Sequence, residues 1–416
     1  NYKRYNYRAN LDFDVTKTTL LSVNIGGRIE TKRTPESGED QNQLFRKLYW
    51  AVPFAGAGIV NGERVVSNSE VLPFTGVDGL SSYYGKGFQT KTTNVLNVDL
   101  ALNQKLDFIT KGLSVKLKGA YNSEYANTKK ASSSKAYYTP VANADGSISL
   151  RKYGTDSQLS YGEPDNGFSK ARNWYMELAL NYARKFGDHN VTALLLYNQS
   201  KKYYPSEYSD IPTGYVGLVG RVTYDWKTRY MAEFNAGYNG SENFASGNRY
   251  GFFPSIAVGY NISNEKFWDN IRPVISNLKL RGSWGLVGND NTGAGRFTYL
   301  EDIDLGGSPG YTTGVGGNRV TYKGPKWSRF FNPNLGWEIG EKINVGIDLQ
   351  LYNSFNLTVE AFKETRRDIF LSRGSTIPDF LGLSGATVYA NLGKMKNIGM
   401  DLSIDYNKQV NKDLFL

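Results

Sequence analysis

The one histidine in the chain, His189, stands in the run Gly187-Asp188-His189-Asn190. A nucleophilic relay needs an imidazole held between a Ser or Cys and a carboxylate. The chain has no cysteine, and no G-x-S-x-G elbow accompanies the histidine. His189 therefore reads as a polar turn residue, and the chain is not expected to be an enzyme. Gly79 to Gly87 (GLSSYYGKG) has the glycine density of a phosphate loop. However, Gly87 stands where a Ser or Thr would hold Mg²⁺. Gly56-Ala57-Gly58 and Gly314-Val315-Gly316-Gly317 lack the third glycine and the strand-to-helix setting of a dinucleotide site. Asp290, in Gly288-Asn289-Asp290-Asn291-Thr292-Gly293, could offer oxygen ligands to Ca²⁺. No terminal bidentate Glu follows at the EF-hand distance, and a hydrogen-bonded turn accounts for the amides. No pair of acidic residues stands out as a glycosidase acid and nucleophile. No cofactor and no metal is expected.

The remaining chemistry is non-covalent. Long polar stretches carry Tyr83, Tyr84, Tyr137, Tyr138, Tyr311 and Trp327. Flat apolar faces beside hydrogen-bonding groups suit an amphipathic ligand, so these six are the candidate ligand-contacting residues. The bland reading is that large loops need small cores of their own.

The elements that would position them are strands. The chain of 416 residues has 45 Gly, 30 Tyr and 21 Phe, a composition that favours strands and turns. From Tyr5 to Val15 every odd residue is apolar or aromatic, with Arg4, Asn6, Arg8, Asn10, Asp12 and Asp14 between them. A period of two puts the sets on opposite faces. The signature returns in Leu21, Val23 and Ile25 against Ser22 and Asn24, and in Leu113, Val115 and Leu117 against Lys116 and Lys118. It returns again in Trp174, Met176, Leu178, Leu180 and Tyr182, set against Asn173, Glu177, Asn181 and Arg184. With further segments near 96–103, 191–200, 215–226, 229–240, 252–262, 278–287, 338–351, 356–366 and 396–407, about thirteen strands are expected, most of about ten residues or more. Their connections alternate between tight turns (15–19, 104–112, 186–190, 226–229, 352–355) and long segments (32–93, 123–172, 201–214, 240–250, 288–336, 367–395). Residues 263–277 are the exception, long where a short turn is expected, with a helical turn around Phe267 and Trp268.

This is the organisation of a transmembrane antiparallel up-and-down β-barrel, with aromatics such as Trp174, Trp226 and Tyr230 at the interfaces. Mean hydropathy of -0.47 fits strands that show lipid only alternate residues. Leu11, Phe13, Leu21, Val23, Leu178 and Leu180 are expected to face lipid, and Arg8, Asn10, Asp12, Asn24 and Asn181 the lumen. The net charge of +10 is scattered without basic runs, so no nucleic-acid partner is expected.

Five segments resemble, in order, the later barrel of the SusC/RagA family of TonB-dependent outer-membrane transporters. They are Tyr2–Asp14 (YKRYNYRANLDFD), Asn248–Tyr260 (NRYGFFPSIAVGY), Leu280–Asn291 (LRGSWGLVGNDN), Asn332–Gly346 (NPNLGWEIGEKINVG) and Asn391–Leu402 (NLGKMKNIGMDL). The resemblance implies that residues 1–416 are a partial barrel domain, about 13–14 strands of one with about 22, and that a plug and TonB box lie outside the chain. It also implies localisation in the bacterial outer membrane, energy coupling through TonB, and a SusD-like surface lipoprotein as lid. The ligand would be an oligosaccharide or a peptide. The competing readings are a passive porin, a secreted glycan-binding or adhesive β-protein, and a barrel-embedded hydrolase.

Overall fold

A computed structural model describes residues 1–36, 41–50, 58–66, 83–162, 169–306, 311–373, 378, 380 and 386–407. Gly56, Ala57 and the first part of the 79–87 run lie outside these residues. The chain divides into two compact units, and among the described residues thirteen long strands run through it. They are β1 (Tyr2–Thr16), β2 (Thr19–Pro35), β3 (Phe88–Lys105), β4 (Leu113–Ser134), β5 (Ser169–Phe186), β6 (His189–Tyr203) and β7 (Thr213–Trp226). They continue as β8 (Tyr230–Ser241), β9 (Tyr250–Asn261), β10 (Ile275–Asn289), β11 (Glu338–Leu351), β12 (Phe355–Ser372) and β13 (Tyr389–Tyr406).

The larger unit, Asp12–Ser22, Leu100–Ala120 and Asn173–Leu416, holds part or all of each. The sheet follows chain order from β1 to β13, each strand beside its sequence neighbour. From β6 onward every pairing is antiparallel, as in His189↔Trp226, Trp226↔Tyr230 and Leu351↔Phe355. Among the described residues β1 and β13 are the two ends of that path, and both are exposed along most of their length.

Short turns explain why neighbours pair. Lys227 and Thr228 (φ 51° and 54°) and Tyr352 and Asn353 (φ 51° and 55°) occupy the left-handed region that a two-residue hairpin turn requires. That conformation is costly for the β-branched Thr228. It is held by Asn264, whose amide donates to the Thr228 carbonyl at 3.0 Å and hydroxyl at 2.8 Å. The 263–277 connection contains the expected helical turn, as the 3₁₀ turn Lys266–Trp268, and a second one, Ile262–Asn264, precedes it.

The period of two separates the faces. On β5, Leu178 and Leu180 are 46% and 41% exposed while Ala179 between them is 2% exposed. The next strands continue the apolar face with Leu218 and Val222, Phe234, Ile256 and Val258, and Ile343, Val345 and Ile347, all exposed. Aromatic rows bound this band. At the short-turn ends Trp226, Tyr230 and Tyr260 stack in sequence at 5.6 and 4.9 Å. Toward the long loops Tyr238 stacks on Tyr250 at 5.2 Å. The eight steps from Tyr230 to Tyr238 span roughly 27 Å of strand. With the usual tilt of about 40° this is a height of roughly 21 Å, within a few ångström of the apolar band of about 25 Å in membrane barrels.

Two expectations are corrected. Several strands run beyond the sequence-derived boundaries, most of all β4, which reaches Ser134 inside the expected loop 123–172. Past Tyr125 both its faces are polar, so no alternation marks it. It is sustained instead by the short strand Ser157–Tyr161, with Ser134 Oγ and Ser157 Oγ 3.0 Å apart. Arg184 shares the parity of Leu180 and Tyr182, not that of Asn181. Its guanidinium lies over the Phe186 ring at 4.7 Å, where a long cation at the end of an apolar strand can still reach water.

The smaller unit is Asn1–Leu11, Val23–Asp99 and Tyr121–Arg172. Besides strand segments it contains the helix Gln41–Trp50 and a four-stranded sheet of Gly58–Val60, Glu63–Val65, Tyr137–Ala142 and Ile148–Tyr153.

Candidate functional site

The polar face of the larger unit carries a run of charge pairs, most of them across strands. Lys116 on β4 meets Glu177 on β5 at 3.2 Å, joining two sets that the alternation put on one face. Arg221 pairs with Glu233 at 2.9 Å, and Asn235 donates to the same carboxylate at 2.9 Å. Farther along, Arg281 binds Asp348 at 3.1 Å and also Glu360, to which Asn344 donates. Arg366 bridges Glu364 at 2.7 Å and Glu338 at 3.7 Å. Thr223, Glu233, Lys279, Arg281, Ser283 and Asn344 line a recess of about 440 Å³ on this face. Such a surface hydrogen-bonds polar matter and repels hydrocarbon.

The long-loop ends of β8 to β11 form a buried cluster. Phe244 and Leu335 are fully buried. Trp337 packs against Phe244 at 5.5 Å and Phe253 at 5.2 Å. Gly288 makes room for this: a Cβ there would run into the Phe253 ring. Trp337 Nε1 donates to the Arg249 carbonyl at 3.3 Å, and Asn248 to the Pro333 carbonyl at 3.0 Å. Asn391 and Gly336 exchange two hydrogen bonds at 2.9 Å. Thus four of the five resemblance segments, distant in sequence, converge here. Their residues fasten loops to strands.

Arg296, buried beside this cluster, escaped the sequence reading. It donates to the carbonyls of Glu207, Tyr208, Ile211 and Pro212 and to the Glu242 carboxylate at 2.7 Å. Glu242 in turn accepts from Gly214 N–H at 3.0 Å. One guanidinium, with five donors in a fixed fork, therefore ties three loops together. Nothing in GAGRFTYL distinguishes it from a solvated arginine, because its partners are mostly backbone.

The predicted ligand-contacting residues fall into three groups. In the smaller unit, Tyr137 stacks on Tyr153 at 5.8 Å, and Tyr138 bridges Val65 in parallel. Tyr84 takes the Arg64 N–H and donates to the Gly62 carbonyl, both at 3.2 Å. Tyr83 begins the same turn and is 56% exposed. Hydrogen bonding to Tyr84 raises the Lys135 ammonium above the ordinary lysine range. Asp156 accepts from Ala136 N–H at 2.8 Å and Lys152 at 3.2 Å. Those bonds, the amide first, hold its carboxyl below the usual range. In the larger unit Tyr311 pairs with Tyr322 in one hairpin. Trp327 lies in another two-stranded sheet and stacks on Phe330 at 6.2 Å.

Of the expected lipid-facing residues, Leu11, Phe13, Leu178 and Leu180 are exposed, and Leu21 and Val23 half-buried. Of the expected lumen-facing ones, Arg8, Asn10, Asp12 and Asn24 are exposed and Asn181 half-buried. On β1 exposure does not sort the faces, since every residue from Tyr2 to Thr16 is exposed. His189 sits at the start of β6, with Nδ1 2.7 Å from the Tyr224 hydroxyl. Around Asp290, Asn289 and Asn291 side chains accept from backbone N–H groups two residues on, each at 3.1 Å, which is the turn chemistry expected. Among the described residues no three His, Cys, Asp or Glu gather in a metal-holding group.

A strand-per-strand meander with one apolar and one ion-paired face defines a membrane β-barrel wall. Residues 35–415 match the family model described as TonB dependent receptor-like, beta-barrel, and the chain belongs to that family. Its place is the bacterial outer membrane. Within the family its likeness is to the SusC/RagA type. The chain is 25% identical to TonB-dependent receptor P3 of Formosa agariphila, over 99% of this chain and 41% of that protein. It is 33% identical to TonB-dependent receptor SusC of Bacteroides thetaiotaomicron, over 48% of this chain and 19% of that one. Among solved structures it superposes on the RagAB peptide transporter with a TM-score of 0.66 at 18% identity, covering 99% of this chain and 45% of the other. The chain thus spans less than half the length of these relatives.

Proposed function

We propose that the protein imports an oligosaccharide or peptide across the outer membrane by TonB-coupled transport. The observation that carries this is the polar face, where Arg221, Glu233, Arg281, Asp348 and Glu360 are ion-paired across strands whose other face is apolar. In this reading that face lines the lumen and contacts a plug supplied by a part of the protein outside this chain. The tyrosine-rich loops suit peptide as well as glycan, and the similarly folded RagAB is a peptide transporter. A SusD-like lipoprotein would close over the long loops. Moving a plug held by such a face needs work, and the outer membrane has neither ATP nor an ion gradient. The work must come from the inner membrane through TonB, with ligand binding favouring the state that TonB can engage. The test is uptake of labelled oligosaccharides and peptides by whole cells, with and without a proton uncoupler and with the TonB-contacting segment deleted. Uptake should fall to background in both cases; undiminished uptake would make the protein a passive pore.

A further inference from the structure

We infer that the 262–275 connection lies in the phospholipid interface of the periplasmic leaflet, with Phe267, Ile271 and Val274 inserted at the boundary between headgroups and acyl chains. It is long for a short-turn end, and its apolar residues point the wrong way for a soluble loop. Phe267 is 65% exposed, and Ile271 and Val274 are exposed too. Beneath them the segment is firmly built. Trp268 is buried and donates to the Ile275 carbonyl at 3.0 Å. Ser263 is buried between Asn261 and Asn277, and Arg272 caps the Ser263 carbonyl at 2.8 Å. Exposure of the three apolar side chains is thus a property of a fixed scaffold.

The occupant follows from continuity with the lipid-facing wall. Glu265 takes hydrogen bonds from the Tyr230 and Tyr260 hydroxyls at 3.1 and 3.5 Å, and Arg229 pairs with its other oxygen at 3.1 Å. Tyr230 and Tyr260 belong to the aromatic row that bounds the apolar band. The connection is therefore fastened to the lipid side of the strands at the level where aromatic rings meet headgroups. Next to Val274, whose carbonyl accepts from Tyr352 N–H at 3.0 Å, the exposed Tyr352 extends the patch. Lys266 can keep its charge among phosphates while its stem covers apolar surface, and Arg272 pairs with Asp269 at 3.1 Å, so that acidic side chain meets the headgroups already compensated. A short amphipathic segment of this kind lies in the interface plane.

The proposal rests on outer-membrane localisation, not on transport, and its test does not measure uptake. This chain has no cysteine, so Phe267→Cys and Ile271→Cys give labelling positions without a competing thiol from these residues. Each variant of the full-length protein would carry a nitroxide in vesicles of phosphatidylethanolamine and phosphatidylglycerol. Collision with oxygen and with a water-soluble nickel chelate would then be measured. Leu218→Cys serves as the lipid-facing reference and Lys17→Cys as the turn reference. At Phe267 and Ile271 the oxygen-to-nickel ratio should exceed that at Lys17 several-fold and approach that at Leu218. A ratio at both sites equal to that at Lys17 would place the connection in water and overturn the proposal, leaving a periplasmic protein as the partner of the patch. Low access to both reagents would also overturn it.

Discussion

Along β8 and β9 the apolar side chains stand open, with Phe234 50% and Val258 56% exposed, whereas the long loops after β8 and β10 hold Phe244 and Leu335 at 0%. A soluble protein would reverse this. The wall has hydrocarbon as its solvent on one face, so its stability comes from closed backbone hydrogen bonding and needs no apolar core. The loops stand in water and must bury apolar surface or fall apart, so the globular-type packing is found there. Wall and loops should therefore respond to mutation in opposite ways.

The largest effect is expected in the loops, at Arg296→Ala. Removing one partner of a buried ion pair costs about 3–5 kcal/mol. The low end applies because the Arg296 side chain is 10% exposed. Hydrogen exchange should accelerate at 207–214 and 242–249 while mid-strand amides of β8 stay protected. Uniform acceleration would mean that loops and wall are one cooperative unit. In the wall, Leu178→Arg should cost roughly 2–4 kcal/mol for a charge on the lipid face, read as refolding yield into vesicles, while Asn181→Arg should be close to neutral. Equal losses would refute the face assignment. Where wall and loops meet, Gly288→Ala should cost about 1–3 kcal/mol by overpacking, seen as altered near-ultraviolet dichroism from Trp337. Phe253→Ala in the same chain should remove the clash.

The smallest effect concerns pH. The folded carboxyl of Asp156 is held below its ordinary value, chiefly by Ala136 N–H and then by Lys152. Its contribution is present above the unfolded value and is lost as pH falls through the folded one, below about pH 4. Once the pH dependence of intrinsic exchange is divided out, protection of the Ala136 amide should decline only in that range. In Asp156→Asn it should be lower throughout and no longer pH-dependent; the same decline in Asp156→Asn would assign the effect elsewhere.

The amino-acid sequence alone determined the strands, their alternating faces and the tight turns, because each depends on neighbours two to four residues apart. Leu178, Ala179 and Leu180 already carry their burial pattern, and Lys116 and Glu177 were placed on the polar faces of their strands. Where alternation stops, as past Tyr125 in β4, local reading stopped too. The resemblance segments were legible as motifs but not in their role, since Trp337, Phe253, Gly288 and Asn391 meet only in three dimensions. Tertiary structure also decided what Arg296 does: apart from the Glu242 carboxylate its guanidinium partners are backbone carbonyls from a loop about 85 residues away, and a carbonyl leaves no mark in the sequence. The tyrosines divide for the same reason. Composition put them in the loops, but only the packing brought Tyr84, Tyr137 and Tyr138 to one small sheet and set Tyr311 and Trp327 on two others, because contacts between long loops are fixed by closure of the chain and not by its periodicity.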